Sequence, residues 1–190
     1  LIGAGPGGYV AAIRAAQLGL KTAVVERDNL GGICLNWGCI PSKALLKNAD
    51  ILQTLNHAEE FGFTFQNLHA DYGKAVDRSR KVVDTLTSGV ATLLRKNKID
   101  HIKGTARLLD AKTLEVSPEA KKITAGNIII ATGARARSIP GLEVDGQRVI
   151  TSREALELRE VPSRVVIIGG GAVGAEFAYL WNTYGSEVTI

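Results

Sequence analysis

Methionine is absent from this 190-residue sequence, and cysteine occurs only twice. Three histidines, none beside the cysteines, leave no four-ligand zinc set, so no metal is expected. Aromatic residues make up 5% of the chain. The densest basic spots, Arg95-Lys96 with Lys98 and Arg135 with Arg137, have no aromatic cluster around them. The formal charge of +4 therefore reads as solvated surface and not as a nucleic-acid face. No apolar run approaches the ~20 residues of a membrane span. An initiating methionine is missing too. Leu1 opens inside an apolar strand and Ile190 closes inside another, so the chain is expected to be a segment of a longer protein. Its true N-terminus, with any targeting peptide, is then out of view. The remainder, 45% hydrophobic and 22% charged, is ordinary for a globular chain.

Two glycine clusters organise the sequence. Leu1-Ile2 runs into Gly3-Ala4-Gly5-Pro6-Gly7-Gly8, a helix to about Gly19, and a strand over 21–25 that stops at Glu26. Gly3, Gly5 and Gly8 have the spacing of a dinucleotide-binding turn. The first allows the tight turn, the second lets backbone approach a pyrophosphate, and the third packs helix on strand. The helix N-terminus favours the phosphate charge, and Glu26, eighteen residues after Gly8, is placed for a ribose. Gly169, Gly171 and Gly174 repeat the spacing after a strand over 164–168 that reads as buried. Eleven residues separate Gly8 from Gly19, and eleven separate Gly174 from Gly185. The counterpart of Glu26, which would choose between NAD and NADP, falls two places beyond Ile190. Two such turns imply two dinucleotides, a flavin and a nicotinamide.

Between them, a helix is predicted from Cys39–Pro41 to about His57, and a longer one over 71–97. The latter carries an apolar stripe of Val76, Val83, Leu86, Val90, Leu93 and Leu94. Short strands follow over 99–106, 113–116 and 122–124, and 127–133 reads as a fully buried strand ending in a turn. His57, His69 and His101 read as ordinary structural or surface residues. The fold class is α/β: a Rossmann-like first domain (1–137) with a parallel sheet, helices and a small antiparallel meander. A connector (138–162) and the start of a second Rossmann-like domain (163–190) follow.

The cysteines lie in Gly31-Gly32-Ile33-Cys34-Leu35-Asn36-Trp37-Gly38-Cys39-Ile40-Pro41-Ser42-Lys43. On a regular helix, residues five apart have Cα atoms ~8.6 Å from one another, beyond the ~7 Å limit for a disulfide. A Cys34–Cys39 bond thus requires residues 35–38 to leave regular helix, which Gly38, Asn36 and Pro41 favour. A six-residue loop yields only ~2 kcal/mol as a staple. A reversible redox disulfide is the preferred reading, with free buried cysteines left open.

This cysteine segment resembles the active-site signature of the flavoprotein disulfide reductases, the class I pyridine nucleotide-disulfide oxidoreductases. Residues 40–46, Ile-Pro-Ser-Lys-Ala-Leu-Leu, are most similar to the branch that oxidises dihydrolipoamide. Thr124 with Ile128-Ile129-Ile130-Ala131-Thr132-Gly133 resembles the family's second flavin motif, and 169–176 its NAD fingerprint. The resemblance implies FAD bound by Gly3, Gly5, Pro6, Gly7, Gly8, Glu26, Lys43, Gly104, Ala106, Ala131, Thr132 and Gly133. It implies NAD at Gly169, Gly171 and Gly174, with Glu176 beside the flavin. Cys34 would be the interchange thiol and Cys39 the charge-transfer thiolate against the flavin. Lys43, one helical turn from Cys39, would pair with Glu176. The eight residues from Glu26 to Cys34 reach at most ~26–29 Å, enough to run from the ribose end of an extended FAD to its ring end.

The implied function is oxidation of protein-bound dihydrolipoamide, with electrons passing through the Cys34–Cys39 disulfide and FAD to NAD. Implied partners are the lipoyl domain of 2-oxoacid dehydrogenase or glycine-cleavage complexes and a second copy in a homodimer, with no nucleic acid and no membrane. The implied location is the cytoplasm, or the mitochondrial matrix in a eukaryote. Trp37 departs from the pattern, since a smaller or basic residue is commoner there. The family's catalytic His–Glu pair belongs to a C-terminal interface domain and has no counterpart here, so these 190 residues alone are expected to be inactive. A mercuric- or glutathione-type reductase, and a nucleotide-binding module without turnover, are the alternatives.

Overall fold

The computed structural model describes residues 1–137 and 139–190; Ser138, first residue of the expected connector, lies outside the described residues. The elements run α1 (Pro6–Gln17), β1 (Ala23–Glu26), α2 (Gly32–Trp37), α3 (Cys39–Asn56), a 3-10 turn (Ala58–Phe61) and α4 (Tyr72–Lys96). Then come β2 (Asp100–Lys103), β3 (Thr105–Leu108), β4 (Thr113–Ser117), β5 (Lys121–Thr124), α5 (Ser152–Ala155), β6 (Arg164–Val166), α6 (Ala172–Thr183) and β7 (Glu187–Thr189). The α/β architecture is the expected one, a parallel sheet with helices plus an antiparallel meander. Among the described residues no helix is long and apolar enough to cross a membrane.

Two compact units emerge. The first comprises 1–36 and 83–137. Its parallel sheet sets β1 beside β2, and Ile2 bridges Val25 on one side and Ile130 on the other. Gly104, at φ +150, turns the chain from β2 into the meander β3-β4-β5. A Cβ there would lie 2.3 Å from the Ser117 carbonyl oxygen, so the one strand expected over 99–106 becomes two. Ile2, Val25, Leu114 and Val116 form one buried apolar cluster of this unit.

The run 127–133 is not the fully buried strand expected. It makes bridge-type hydrogen bonds to Ile2, yet Ile129 and Ile130 are 47% and 63% exposed. An apolar run states a preference for cover, and among the described residues no element covers these two side chains. The same holds at 164–168, where β6 stops at Val166 and both Val166 and Ile168 are exposed.

The second unit comprises 37–82 and 139–190. Its core joins Leu45 and Ala49 of α3, Tyr72, Ala75 and Val76 of α4, Ala155 and Leu156 at α5, and Phe177, Leu180 and Trp181 of α6. The buried positions along α4 therefore fall in both units, Tyr72 to Ser79 in this one and Val83, Val90 and Leu94 in the other. Leu86 and Leu93 were expected on that stripe but are exposed. Each lies ~60° around the helix from the Val83–Val90 row.

Trp181 Nε1 donates to Tyr72 Oη at 3.1 Å, and Tyr184 meets Tyr72 edge-on at 5.0 Å. Burial pushes the Tyr72 phenol up to about 12; the Trp181 hydrogen bond opposes this and Tyr184 adds to it. Folding thus favours the neutral phenol. The stability it contributes is full below the unfolded value near ~10 and is lost as pH rises from there towards about 12. Phenolate absorbance titration of wild type and Tyr72→Phe is expected to differ by one tyrosine ionising only at the top of this window.

Candidate functional site

In the first unit the turn after Ile2 is built from contacts that only glycine permits. Gly3 has φ +99, and a Cβ there would sit 2.2 Å from the Ala131 carbonyl oxygen. A Cβ at Gly8 would sit 1.9 Å from the Gly3 oxygen. Gly7 has nothing within 4 Å and Gly5 meets only Gly32 Cα, so this face is open. Pro6 starts α1, and Gly5 gives it no side-chain cap, leaving first-turn N–H groups for an anion.

The Ala4 N–H donates to Glu26 Oε2 at 2.7 Å, and the Asp28 N–H to Oε1 at 2.9 Å. The carboxylate is thereby fixed at the end of β1. Gly3, Gly104, Ala106, Thr132 and Gly133 line one cavity of about 390 Å³. Glu26 is not among its walls, but its neighbours Val25 and Arg27 are. Ala131 stands behind Gly3 rather than in the cavity.

The second fingerprint repeats this local geometry in the second unit. Gly169 has φ +116, and a Cβ at Gly174 would lie 2.0 Å from its carbonyl oxygen. Gly171 has nothing within 4 Å and caps α6 without a side chain. The helices also end alike, with Gly19 at φ +87 and Gly185 at φ +94.

Cys34 lies half-buried in α2, and Cys39 opens α3 in an exposed position. The expected Cys34–Cys39 disulfide is not formed; both residues are thiols here. Departure from helix over residues 35–38 was expected with the bond in place; with the thiols unjoined only Gly38 leaves, at φ −144 and ψ −118. The physical reason is Asn36, which is buried and donates its amide to the carbonyls of Leu30 (2.9 Å) and Gly32 (2.8 Å), keeping that turn regular. Lys43 Nζ forms an ion pair with Glu176 Oε1 across α3 and α6. Two turns further along α3 and one turn further along α6, Tyr179 Oη donates to Asp50 Oδ1 at 2.9 Å. The Trp37 ring carries the Arg153 guanidinium, with its carbon 3.7 Å from the centroid.

The family model for pyridine nucleotide-disulphide oxidoreductases matches residues 1–190. The chain belongs to this family. Its relatives in the pyridine nucleotide-disulphide oxidoreductases include a dihydrolipoyl dehydrogenase from Mycobacterium leprae, 51% identical over 197 residues that take in all of this chain and 42% of that protein. Another dihydrolipoyl dehydrogenase, from Chlorobaculum parvum, is 47% identical over 193 residues, covering all of this chain and 41% of that protein. Among solved structures, the HOCl-induced flavoprotein disulfide reductase from Escherichia coli superposes with a TM-score of 0.84 at 31% identity, over 98% of this chain and 40% of that one. The chain therefore spans about 41% of the length of the curated relatives it matches.

Sequence reasoning missed several residues of these sites. Arg27, Thr105 and Arg135 also line the cavity, yet nothing in their own sequence surroundings assigns them to it. Gly31 and Gly32, at φ +91 and +59, were legible only as part of the cysteine segment. A Cβ on Gly32 would lie 2.6 Å from Gly5 Cα, so Gly32 is part of the first fingerprint's packing. The Arg153 contact had one signal, the unusual tryptophan at position 37.

Proposed function

We propose that this chain is the FAD-binding part, and the beginning of the NAD-binding part, of a dihydrolipoyl dehydrogenase. The observation that carries this reading is a pair of thiols on either side of the single non-helical residue Gly38, with Cys39 on the same helix as the Glu176-paired Lys43. Arms of fixed helix and one conformationally free residue suit a bond that must repeatedly form and break.

The glycine turn fits a dinucleotide: it is closed where Gly3, Gly8 and Ala131 meet and open at Gly5 and Gly7. Gly3, Gly5, Pro6, Gly7 and Gly8 would hold the pyrophosphate at the α1 N-terminus, and Glu26 would orient the ribose. Gly104, Ala106, Thr132 and Gly133 would form the adjoining wall, with Ala131 behind Gly3. Gly169, Gly171 and Gly174 would receive NAD. FAD, when bound, supplies the two-electron relay between the thiols and NAD.

The protein's own share is the sulfur exchange. With Cys34 and Cys39 joined, a thiolate of dihydrolipoamide attacks Cys34 Sγ, and Cys39 leaves as thiolate. The second substrate sulfur then displaces Cys34, so the substrate ends as a disulfide while two electrons and two protons rest on the cysteine pair. Lys43, paired with Glu176, keeps a cation on the Cys39 side of α3. The partner that presents such a substrate is a lipoyl domain of a 2-oxoacid dehydrogenase or glycine-cleavage complex. A second copy of the full-length chain would complete a homodimer and its acid/base pair.

The test is to assay the full-length protein with dihydrolipoamide and NAD, oxidised glutathione and NADPH, and Hg²⁺ and NADPH. Dihydrolipoamide is expected to give the dominant turnover. Turnover with glutathione or Hg²⁺ alone would rule the reading out.

A further inference from the structure

We propose that Arg153 is a positioning residue for the cysteine pair: stacked on Trp37, it restrains the segment between Cys34 and Cys39 and so favours closure of their disulfide. This rests on the exchange reading above. A Cys34–Cys39 bond closes a ring through Leu35, Asn36, Trp37 and Gly38. Asn36 is held by its two amide hydrogen bonds, and beyond Gly38 the Ser42 N–H donates to the Gly38 carbonyl at 3.1 Å, where α3 takes over. Trp37, between those anchors, carries the Arg153 guanidinium at 3.7 Å.

Arg153 is itself well mounted. Thr151 and Glu154 form a full capping box, with Thr151 N–H donating to Glu154 Oε2 at 2.8 Å and the Arg153 N–H donating to Thr151 Oγ1 at 3.2 Å. Ala155 and Leu156, just after it, lie in the core of the unit. The guanidinium is thus presented from a short helix fixed at both its cap and its buried end.

The consequence follows from which state the contact restrains. In the disulfide form the S–S bond already limits residues 35–38, so the stack forms there at little further cost in chain freedom. In the dithiol form the stack supplies that restraint, and its loss increases the freedom that closure must remove. Losing the stack therefore weakens the disulfide relative to the dithiol. A cation–π contact at a partly exposed site is worth at most about fivefold in that equilibrium, or ~20 mV upward in the reduction potential of the two-electron couple.

The experiment uses full-length protein equilibrated in glutathione buffers of graded ratio. Disulfide plus two glutathione thiols yields dithiol plus oxidised glutathione. Thiols are trapped by alkylation, and the Cys34–Cys39 peptide is weighed by mass spectrometry. Arg153→Ala is expected to need a buffer about two- to fivefold more oxidising for half-closure. Arg153→Lys, which keeps a cation over the ring, is expected to recover most of the difference. Trp37→Leu, which removes the stack from the other side, is expected to match Arg153→Ala and serves if that variant does not fold. An unshifted equilibrium in folded Arg153→Ala or Trp37→Leu overturns the role, as does Arg153→Lys behaving like Ala. Absence of any linked Cys34–Cys39 peptide in the parent overturns the exchange reading and this role together.

Discussion

Full-length protein carrying Cys34→Ser is expected to lose dihydrolipoamide-driven NAD reduction by at least about 10³-fold while keeping its flavin. A serine hydroxyl neither forms the S–S bond nor accepts the attack of a thiolate. Within these 190 residues the only other sulfur is Cys39. Cys39→Ser is expected to cost about as much, and the double variant little more than either single one, since a disulfide needs both members. Flavin content should hold because the glycine turn, Glu26 and the cavity wall involve neither cysteine side chain. Stopped-flow reduction of the bound flavin checks the assignment directly. Reduction by dihydrolipoamide at the parent rate in Cys34→Ser would leave the thiol pair without a role in turnover.

The second large effect separates the two fingerprints. Gly8→Ala places a methyl 1.9 Å from the Gly3 carbonyl oxygen, a backbone atom that cannot rotate aside. Relief requires moving the strand end or the start of α1, at a cost of about 3 kcal/mol or more. Purified Gly8→Ala is expected to lack flavin and to unfold at markedly lower denaturant concentration. Gly174→Ala meets the Gly169 oxygen at 2.0 Å in the same way, but in the second unit. It is expected to retain flavin while losing NAD binding, read as flavin that dihydrolipoamide still reduces but NAD no longer reoxidises. Full flavin occupancy in Gly8→Ala would remove the first turn as the cradle.

Much of this was legible because the demands are local. At Gly3 and Gly169 the backbone adopts φ values of +99 and +116, and at Gly8 and Gly174 a carbonyl occupies the space of a Cβ. No other residue type satisfies these conditions, so the identity of the residue carries the geometry with it. The matched terminators Gly19 and Gly185 were readable for the same reason, and so was the break between the cysteines, since Gly38 is the one position there without a side chain to hold.

What was less legible depended on distant chain. Asn36 was expected to help unwind the cysteine segment, yet its amide reaches back to Leu30 and Gly32 and keeps the turn helical. The apolar runs at 128–130 and 165–168 announced a need for cover, and only packing decides that Ile129, Ile130, Val166 and Ile168 stay open here. The row along α4 looked like a single stripe, whereas the fold divides its buried positions between two units and leaves Leu86 and Leu93 exposed.

The amino-acid sequence by itself determined the two nucleotide turns, the helices they open and the spacing of the thiols, because steric limits on a backbone act over a few residues. Only the tertiary structure decided that Arg27 and Arg135 share a cavity with Gly104 and that Arg153 rests on Trp37. Such partners are chosen by where remote elements come to lie, and short-range residue preferences do not encode that distance.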